Sequence, residues 1–345
     1  MTRVVVTFAL DPELADRIRA VDPRVEVSVL GQELLDALRG KRRFPSELQA
    51  ATPLDQIRSA LDENEVMFGF WSGAMPSLVS PDDLPGALRW VQLTSAGADR
   101  VDPDLIRAGL TFTNVSGLHS TPIAEYVLTY MLMFEKGWPA LARNQAARRY
   151  DRMVMPRNLS DRTVGVVGMG AIGRECARLA KAIGCRVLAI RRSVTERRPD
   201  AIADEVLPPG DLDVLLAESD YVVLATPLTE ETRGLIGAEQ LRIMGARSDR
   251  SYLINIARGE VVDEPALIEA LREGVIAGAA LDVFYREPLP EDSPLWELDN
   301  VILTPHISGG NENYNEVATS IFCDNLRRYL AGEELHNIID PDRGY

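Results

Sequence analysis

Short apolar runs alternate with amphipathic stretches along nearly the whole chain. The first runs fall at residues 3–8, 25–30, 66–70, 90–94 and 111–114, and helical periodicity occupies 12–20, 46–61 and 104–108 between them. Alternating strand and helix patterns predict a parallel sheet with helices on both faces. A long helix follows at about 121–136, opened by Thr121-Pro122 and ended or kinked by Gly137-Trp138-Pro139. The polar stretch 143–161 reads as a connector. A second series then begins, with strands at 163–167, 186–190, 221–225, 252–255, 278–283 and 301–303. These runs are almost wholly apolar, as expected of central strands covered on both sides. A last helix, 315–331, precedes a polar tail and is placed to pack back on the first half, which makes that half discontinuous in sequence. The pattern predicts two doubly wound α/β units.

Composition narrows the function classes. A length of 345 residues favours two domains, and 46% apolar with 26% charged residues suits a folded core. The net charge of −15 repels nucleic acid and anionic membrane, so any basic site for an anionic ligand must be local. Cys176, Cys185 and Cys323 lack metal or disulfide spacing, so no metal is expected, and Cys176 and Cys185 read as core residues. No run approaches the roughly 20 apolar residues of a membrane span, and the first 20 residues do not resemble a signal peptide. A cytoplasmic protein is expected.

Residues 163–173 end in Gly168-Met169-Gly170-Ala171-Ile172-Gly173, a G-x-G-x-x-G pattern between an apolar strand and a helix. That context makes it a dinucleotide-binding turn. Gly168 permits the tight turn, Gly170 lets backbone approach a pyrophosphate, and Gly173 lets helix and sheet pack closely. The helix N-terminus then offers free N–H groups to the phosphates. After the next strand this motif usually supplies an acidic residue for the adenosine ribose. Here Arg191, Arg192 and Ser193 stand instead, which suits a 2′-phosphate and predicts NADP over NAD, with NAD still possible. A merely solvated arginine run is the competing reading, since Arg197 and Arg198 follow closely.

Three polar residues lie just past apolar strands in the second half: Arg258, Glu287 and His306. Ligands of open α/β sheets bind outside the carboxyl ends of strands, so the three can converge. Reducing a ketone by hydride leaves an oxyanion that must be protonated, a task for histidine. A carboxylate beside the imidazole sets its tautomer, and an arginine can hold a substrate carboxylate and polarise the carbonyl. Taken singly, Arg258 reads as well as a surface ion-pair residue, and Glu287 and His306 as turn residues. Their joint spacing points to catalysis.

The glycine motif, Asn255-Ile-Ala-Arg258-Gly-Glu-Val-Val-Asp263, Ala280-Leu-Asp-Val-Phe284, Glu287-Pro288 and Leu303-Thr-Pro-His306 together resemble the D-isomer-specific 2-hydroxyacid dehydrogenase family. The resemblance runs through 118–345 and is weaker before that, although Leu93-Thr-Ser-Ala-Gly-Ala-Asp99 is similar to that family's substrate loop. It implies two Rossmann-like domains with an interdomain cleft. Residues 1–117 plus 309–345 would form a flavodoxin-like substrate domain, and 118–308 the NAD(P)-binding domain. It also implies Arg258 as substrate ligand, His306 as acid/base and Glu287 as its partner. Asp282 would lie near the nicotinamide carboxamide, Thr226, Pro227, Ile256 and Ala257 would line the cofactor, and backbone at Ser95, Ala96 and Gly97 would receive the substrate carboxylate. The expected activity is reduction of glyoxylate, hydroxypyruvate or another small 2-oxo acid.

Two rivals stay open: a phosphite-type dehydrogenase using the same trio, and a nicotinamide-sensing binding protein or corepressor without turnover. The chain's end at Tyr345 argues against an allosteric serine-biosynthetic enzyme, and Glu287, where a formate dehydrogenase would carry glutamine, argues against that branch. The apolar helix after Thr121 is a candidate homodimer surface, burial within one chain being the simpler reading. Trp71, Ser72, Gly73, Met75, Tyr150, Met153 and Met155 read as packing residues, the first four with some claim on a pocket. Trp296 reads as core, His336 as solvated and His119 as a capping and packing residue.

Overall fold

The computed structural model describes residues 1–39, 52–98, 100–247 and 250–342. The chain divides into two compact units, Met1–Leu118 with Glu312–Tyr345, and His119–Asn311.

The first unit runs β1 (Thr2–Val6), α1 (Pro12–Arg19), β2 (Val25–Val29), α2 (Gln32–Leu38), α3 (Pro53–Glu63), β3 (Val66–Gly69), β4 (Trp90–Leu93), α4 (Pro103–Arg107) and β5 (Thr111–Thr113). Its sheet has the order β2-β1-β3-β4-β5, every pairing parallel. Of the helix expected at 46–61, residues 46–51 lie outside the described residues. The remainder, α3, starts where Thr52 and Asp55 satisfy each other's backbone N–H in a capping box.

The second unit begins with α5 (Ser120–Glu135) and α6 (Trp138–Ala146) and continues through β6 (Thr163–Val167), α7 (Ala171–Ile183), β7 (Arg186–Ile190), β8 (Glu205–Leu207) and α8 (Leu212–Glu218). It ends with β9 (Tyr221–Leu224), α9 (Ala238–Arg247), β10 (Tyr252–Asn255), α10 (Glu264–Arg272), β11 (Gly278–Leu281) and β12 (Val301–Leu303). The seven strands are parallel in the order β12-β11-β10-β9-β6-β7-β8. The chain then returns to the first unit through α11 (Tyr314–Ala331). Two parallel-sheet α/β units are what the alternating apolar pattern predicts. No described helix is long and apolar enough to cross a membrane.

Strand alternation explains the cores. Successive side chains point to opposite faces, so Val164, Val166, Tyr252 and Ile254 enter the core under α5 and α7, while Val167 and Leu253 enter the one on the other face. In the first unit Val4 and Val6 face one core and Val5 the other. All three cysteines are buried, and none is in a disulfide.

Three expectations need correction. The connector does not start at 143, because α6 continues helical structure to Ala146; Gly137 in the left-handed region only reorients the chain between two helices. Tyr150, Met153 and Met155 are not packed, being 94%, 82% and 76% exposed on the extended stretch after α6. Trp296 is 56% exposed: a short turn at Pro294–Glu297 points Leu295 inward and Trp296 out, with its indole N–H donating to the carbonyl of Pro290 at 2.8 Å.

Phe322 of α11 anchors the returning segment, stacking on Phe68 with centroids 4.3 Å apart and on Trp90 at 5.3 Å. Because it is fully buried, Phe322→Ala should lower stability by about 3–5 kcal/mol, measured by urea denaturation. A loss below about 1 kcal/mol would show that α11 does not hold the first unit together.

Candidate active site

Because the seven strands run parallel, their carboxyl ends share one edge, and the residues singled out in the second half follow that edge in strand order. His306 lies past β12, Asp282 and Glu287 past β11, Ile256 to Arg258 past β10, Thr226 and Pro227 past β9, the glycine turn past β6 and Arg191 to Ser193 past β7. Strands sit about 4.8 Å apart, so the edge spans a length suited to an extended ligand.

The glycine turn has the form its sequence demands. Gly168 adopts φ +103°, and a Cβ there would meet the carbonyl oxygen of Ala225 at 2.6 Å. A Cβ on Gly173 would sit 1.9 Å from the carbonyl oxygen of Gly168. Gly170 faces open space, with nothing within 4 Å, and begins α7 without a side-chain cap. Its N-terminal N–H groups are thus available to an anion. Met169 is buried, Ala171 exposed and Ile172 half-buried. Arg191, Arg192 and Ser193 are all exposed in the turn after β7, and Arg197 pairs with Glu205 and Glu218.

At the other end of the edge, the Nδ1 of His306 lies 2.8 Å from Oε2 of Glu287. The other carboxylate oxygen of Glu287 accepts from the N–H of Phe284 at 3.1 Å. His306 is exposed and holds φ +54°, a conformation that costs a side-chain-bearing residue about 1–2 kcal/mol. Arg258 is half-buried, and its turn is stapled by Asn255: the side-chain amide of Asn255 donates to the Arg258 carbonyl at 2.9 Å and accepts from the N–H of Ala257 at 3.0 Å.

Ser95, Ala96 and Gly97 belong to the first unit, just past β4; Asp99 lies outside the described residues. Their carbonyls are all engaged, by the N–H of Val115, the amide of Asn114 and the hydroxyl of Ser95. Trp71 and Met75 are buried and pack in the core of this unit. His119 stands at the N-cap of α5, where its carbonyl accepts from the N–H of Ile123, but its side chain makes no cap bond. Its Nδ1 instead lies 2.9 Å from the carbonyl of Gly309, and burial lowers its pKa, with that contact opposing.

A profile of the D-isomer specific 2-hydroxyacid dehydrogenase NAD binding domain matches residues 128–308. A glyoxylate reductase of Korarchaeum cryptofilum is 37% identical over 270 residues, covering 74% of this chain and 77% of its own. A glyoxylate/hydroxypyruvate reductase B of Pectobacterium carotovorum is 34% identical over 325 residues, covering 91% and 97%. The crystal structure of a D-isomer specific 2-hydroxyacid dehydrogenase from Xanthobacter autotrophicus, in complex with NADPH and MES, superposes with a TM-score of 0.75 at 30% identity over 99% of this chain and 100% of the other.

The chain belongs to the D-isomer specific 2-hydroxyacid dehydrogenase family.

In this dehydrogenase the glycine turn fits a dinucleotide on structural grounds, through the open space at Gly170 and the uncapped helix start. The sequence reading passed over the residues that brace the site: Asn255 at the arginine turn, and Tyr130, Thr304 and Ser308 near His306. Asn255 and Thr304 lie inside the motifs at 255–263 and 303–306. Tyr130 lies far away in sequence, in a helix that reads simply as apolar.

The two glycine roles are separable. Gly173→Ala should destabilise by about 1–3 kcal/mol through overpacking, measured by urea denaturation. Gly170→Ala should leave stability within about 0.5 kcal/mol and weaken binding of a nicotinamide dinucleotide, followed by its fluorescence. The reverse pattern would overturn both assignments.

Proposed function

We propose that this dehydrogenase is an NADPH-preferring reductase of small 2-oxo acids such as glyoxylate and hydroxypyruvate, forming the 2-hydroxy acid, in the D configuration where that product is chiral. The observation that carries the reading is the 2.8 Å pairing of His306 with Glu287 on the same sheet edge as Arg258 and the glycine turn. With Nδ1 donating to the Glu287 carboxylate, Nε2 of His306 is the nitrogen that hands a proton to the carbonyl oxygen. Glu287 stabilises the imidazolium form that precedes this transfer. Arg258 holds the substrate carboxylate and polarises the reacting carbonyl. The bound nicotinamide supplies the hydride.

The His119–Asn311 unit is assigned the dinucleotide. Thr226, Pro227, Ile256 and Ala257 would line it, and Arg191, Arg192 and Ser193 would receive the 2′-phosphate. The NADPH bound by the Xanthobacter relative supports that preference. The other unit is assigned the substrate carboxylate. A cytoplasmic homodimer completes the reading: one face of α5 is buried under its own core, but Tyr150, Met153 and Met155 offer an apolar surface to a second copy.

His306→Ala should reduce turnover of a 2-oxo acid by about 100-fold or more, and catalytic efficiency should be higher with NADPH than NADH. Oxidation of NADPH across a panel of 2-oxo acids, with both product enantiomers assayed in reverse, tests the whole reading. Near-normal turnover in His306→Ala removes the acid/base assignment. Tight NADPH binding with no turnover of any acid would favour a sensor instead.

A further inference from the structure

Asp282 is almost fully buried, and four donors from one loop converge on its carboxylate. Oδ1 accepts from the Thr304 hydroxyl at 2.6 Å and the N–H of Ile307 at 3.0 Å. Oδ2 accepts from the N–H of Ser308 at 3.1 Å and its hydroxyl at 2.5 Å. The backbone carbonyl of Asp282 accepts from the N–H of His306 at 2.8 Å. A carboxylate has about four acceptor positions, and the loop carrying His306 takes them all. Asp282 thus grips the residues on both sides of a histidine that sits in the left-handed region.

One more side chain completes the grip. The Tyr130 hydroxyl, on α5, lies 2.6 Å from Oγ1 of Thr304. A threonine hydroxyl has one proton, and here it goes to the Asp282 carboxylate. Tyr130 must therefore be the donor to Thr304. Burial holds the Tyr130 phenol well above its ordinary range, so it keeps its proton. The chain has one direction: Tyr130 to Thr304 to Asp282.

We propose that Tyr130 and Thr304 are positioning residues of the dehydrogenase, and that with Asp282 they form a directed hydrogen-bond chain that holds the His306 loop in its left-handed turn. Asp282 then acts on catalysis through the loop, whatever contact it also makes with the cofactor. This inference rests on His306 being the acid/base group. The chain fixes Thr304 and Asp282 in single orientations, which sets where the imidazole meets Glu287 on one side and the substrate oxygen on the other. Small errors in such placement slow chemistry more than binding.

The test uses three near-isosteric variants of the full chain: Tyr130→Phe, Thr304→Ser and Thr304→Val. Steady-state kinetics with NADPH and glyoxylate are measured beside His306→Ala. Thr304→Val should lower kcat about tenfold or more, with KM for both substrates within about twofold, since it misplaces the acid without removing a binding contact. Thr304→Ser keeps the hydroxyl and should restore kcat to within about threefold of the parent, while Tyr130→Phe should fall between the two. A kcat for Thr304→Val within about twofold of the parent, a loss confined to KM, or no rescue by serine overturns the proposal. Should Thr304→Val not fold, Tyr130→Phe decides, and an unchanged kcat there overturns it. If His306→Ala is inactive while these variants are normal, only the positioning role fails. If His306→Ala is itself active, the underlying reading fails first.

Discussion

Parallel register in the seven-stranded sheet is the constraint on which the rest depends. Each strand of β6 to β12 pairs in the same direction, so every crossover helix must return along a face and every carboxyl end emerges at one edge. Helices cover both faces, and the edge is where polar side chains can stand without breaking a core. Residues separated by more than a hundred positions, Gly168 and His306 among them, come to share a single edge. The order of strands then sorts them by task, with the proposed proton-transfer residues past β10 to β12, the phosphate turn past β6 and the arginine pair past β7.

The opposite edge of the same sheet is built for stability. Glu135 at the end of α5 is almost fully buried, with both carboxylate oxygens bound by Arg162 at 2.8 and 3.1 Å, Arg157 at 3.3 Å and the Tyr221 hydroxyl at 2.9 Å. Arg157 also donates to the Tyr252 hydroxyl, and Tyr221 and Tyr252 stack at 5.0 Å. These groups sit at the amino ends of β6, β9 and β10. A buried charge is tolerable only when fully paired, and here two guanidiniums and a phenol complete the pairing. Because α5 carries Glu135 at its end and Tyr130 in its middle, one helix braces both the closed edge and the loop that bears His306.

Electrostatics follow the same division. The chain carries a net charge of −15, so its general field disfavours anions. Screening limits that field to about 8–10 Å at ordinary ionic strength, which lets a few placed cations dominate locally. Arg191 and Arg192 stand exposed at the edge.

Much of this was legible from residue order alone. Hydrophobic periodicity yielded both sheets, because a buried parallel strand must be apolar on both faces. The glycine turn was legible because its backbone excludes a side chain at Gly168 and Gly173. The missed elements are those with weak local signals: β8 is three residues long, α6 begins with residues that also end helices, and Trp296 is a large apolar residue on a turn too short to bury it. The sequence by itself determined the α/β class, the strand-end location of Arg258, Glu287 and His306, and the dinucleotide turn, since each depends on short-range pattern. Only the tertiary structure decided which oxygen of Glu287 meets His306, that His306 takes a left-handed backbone, and that Tyr130, 174 positions from Thr304, belongs to the same chain of hydrogen bonds. Hydrogen bonding depends on where atoms lie in space, and no local pattern encodes a contact made across a sheet.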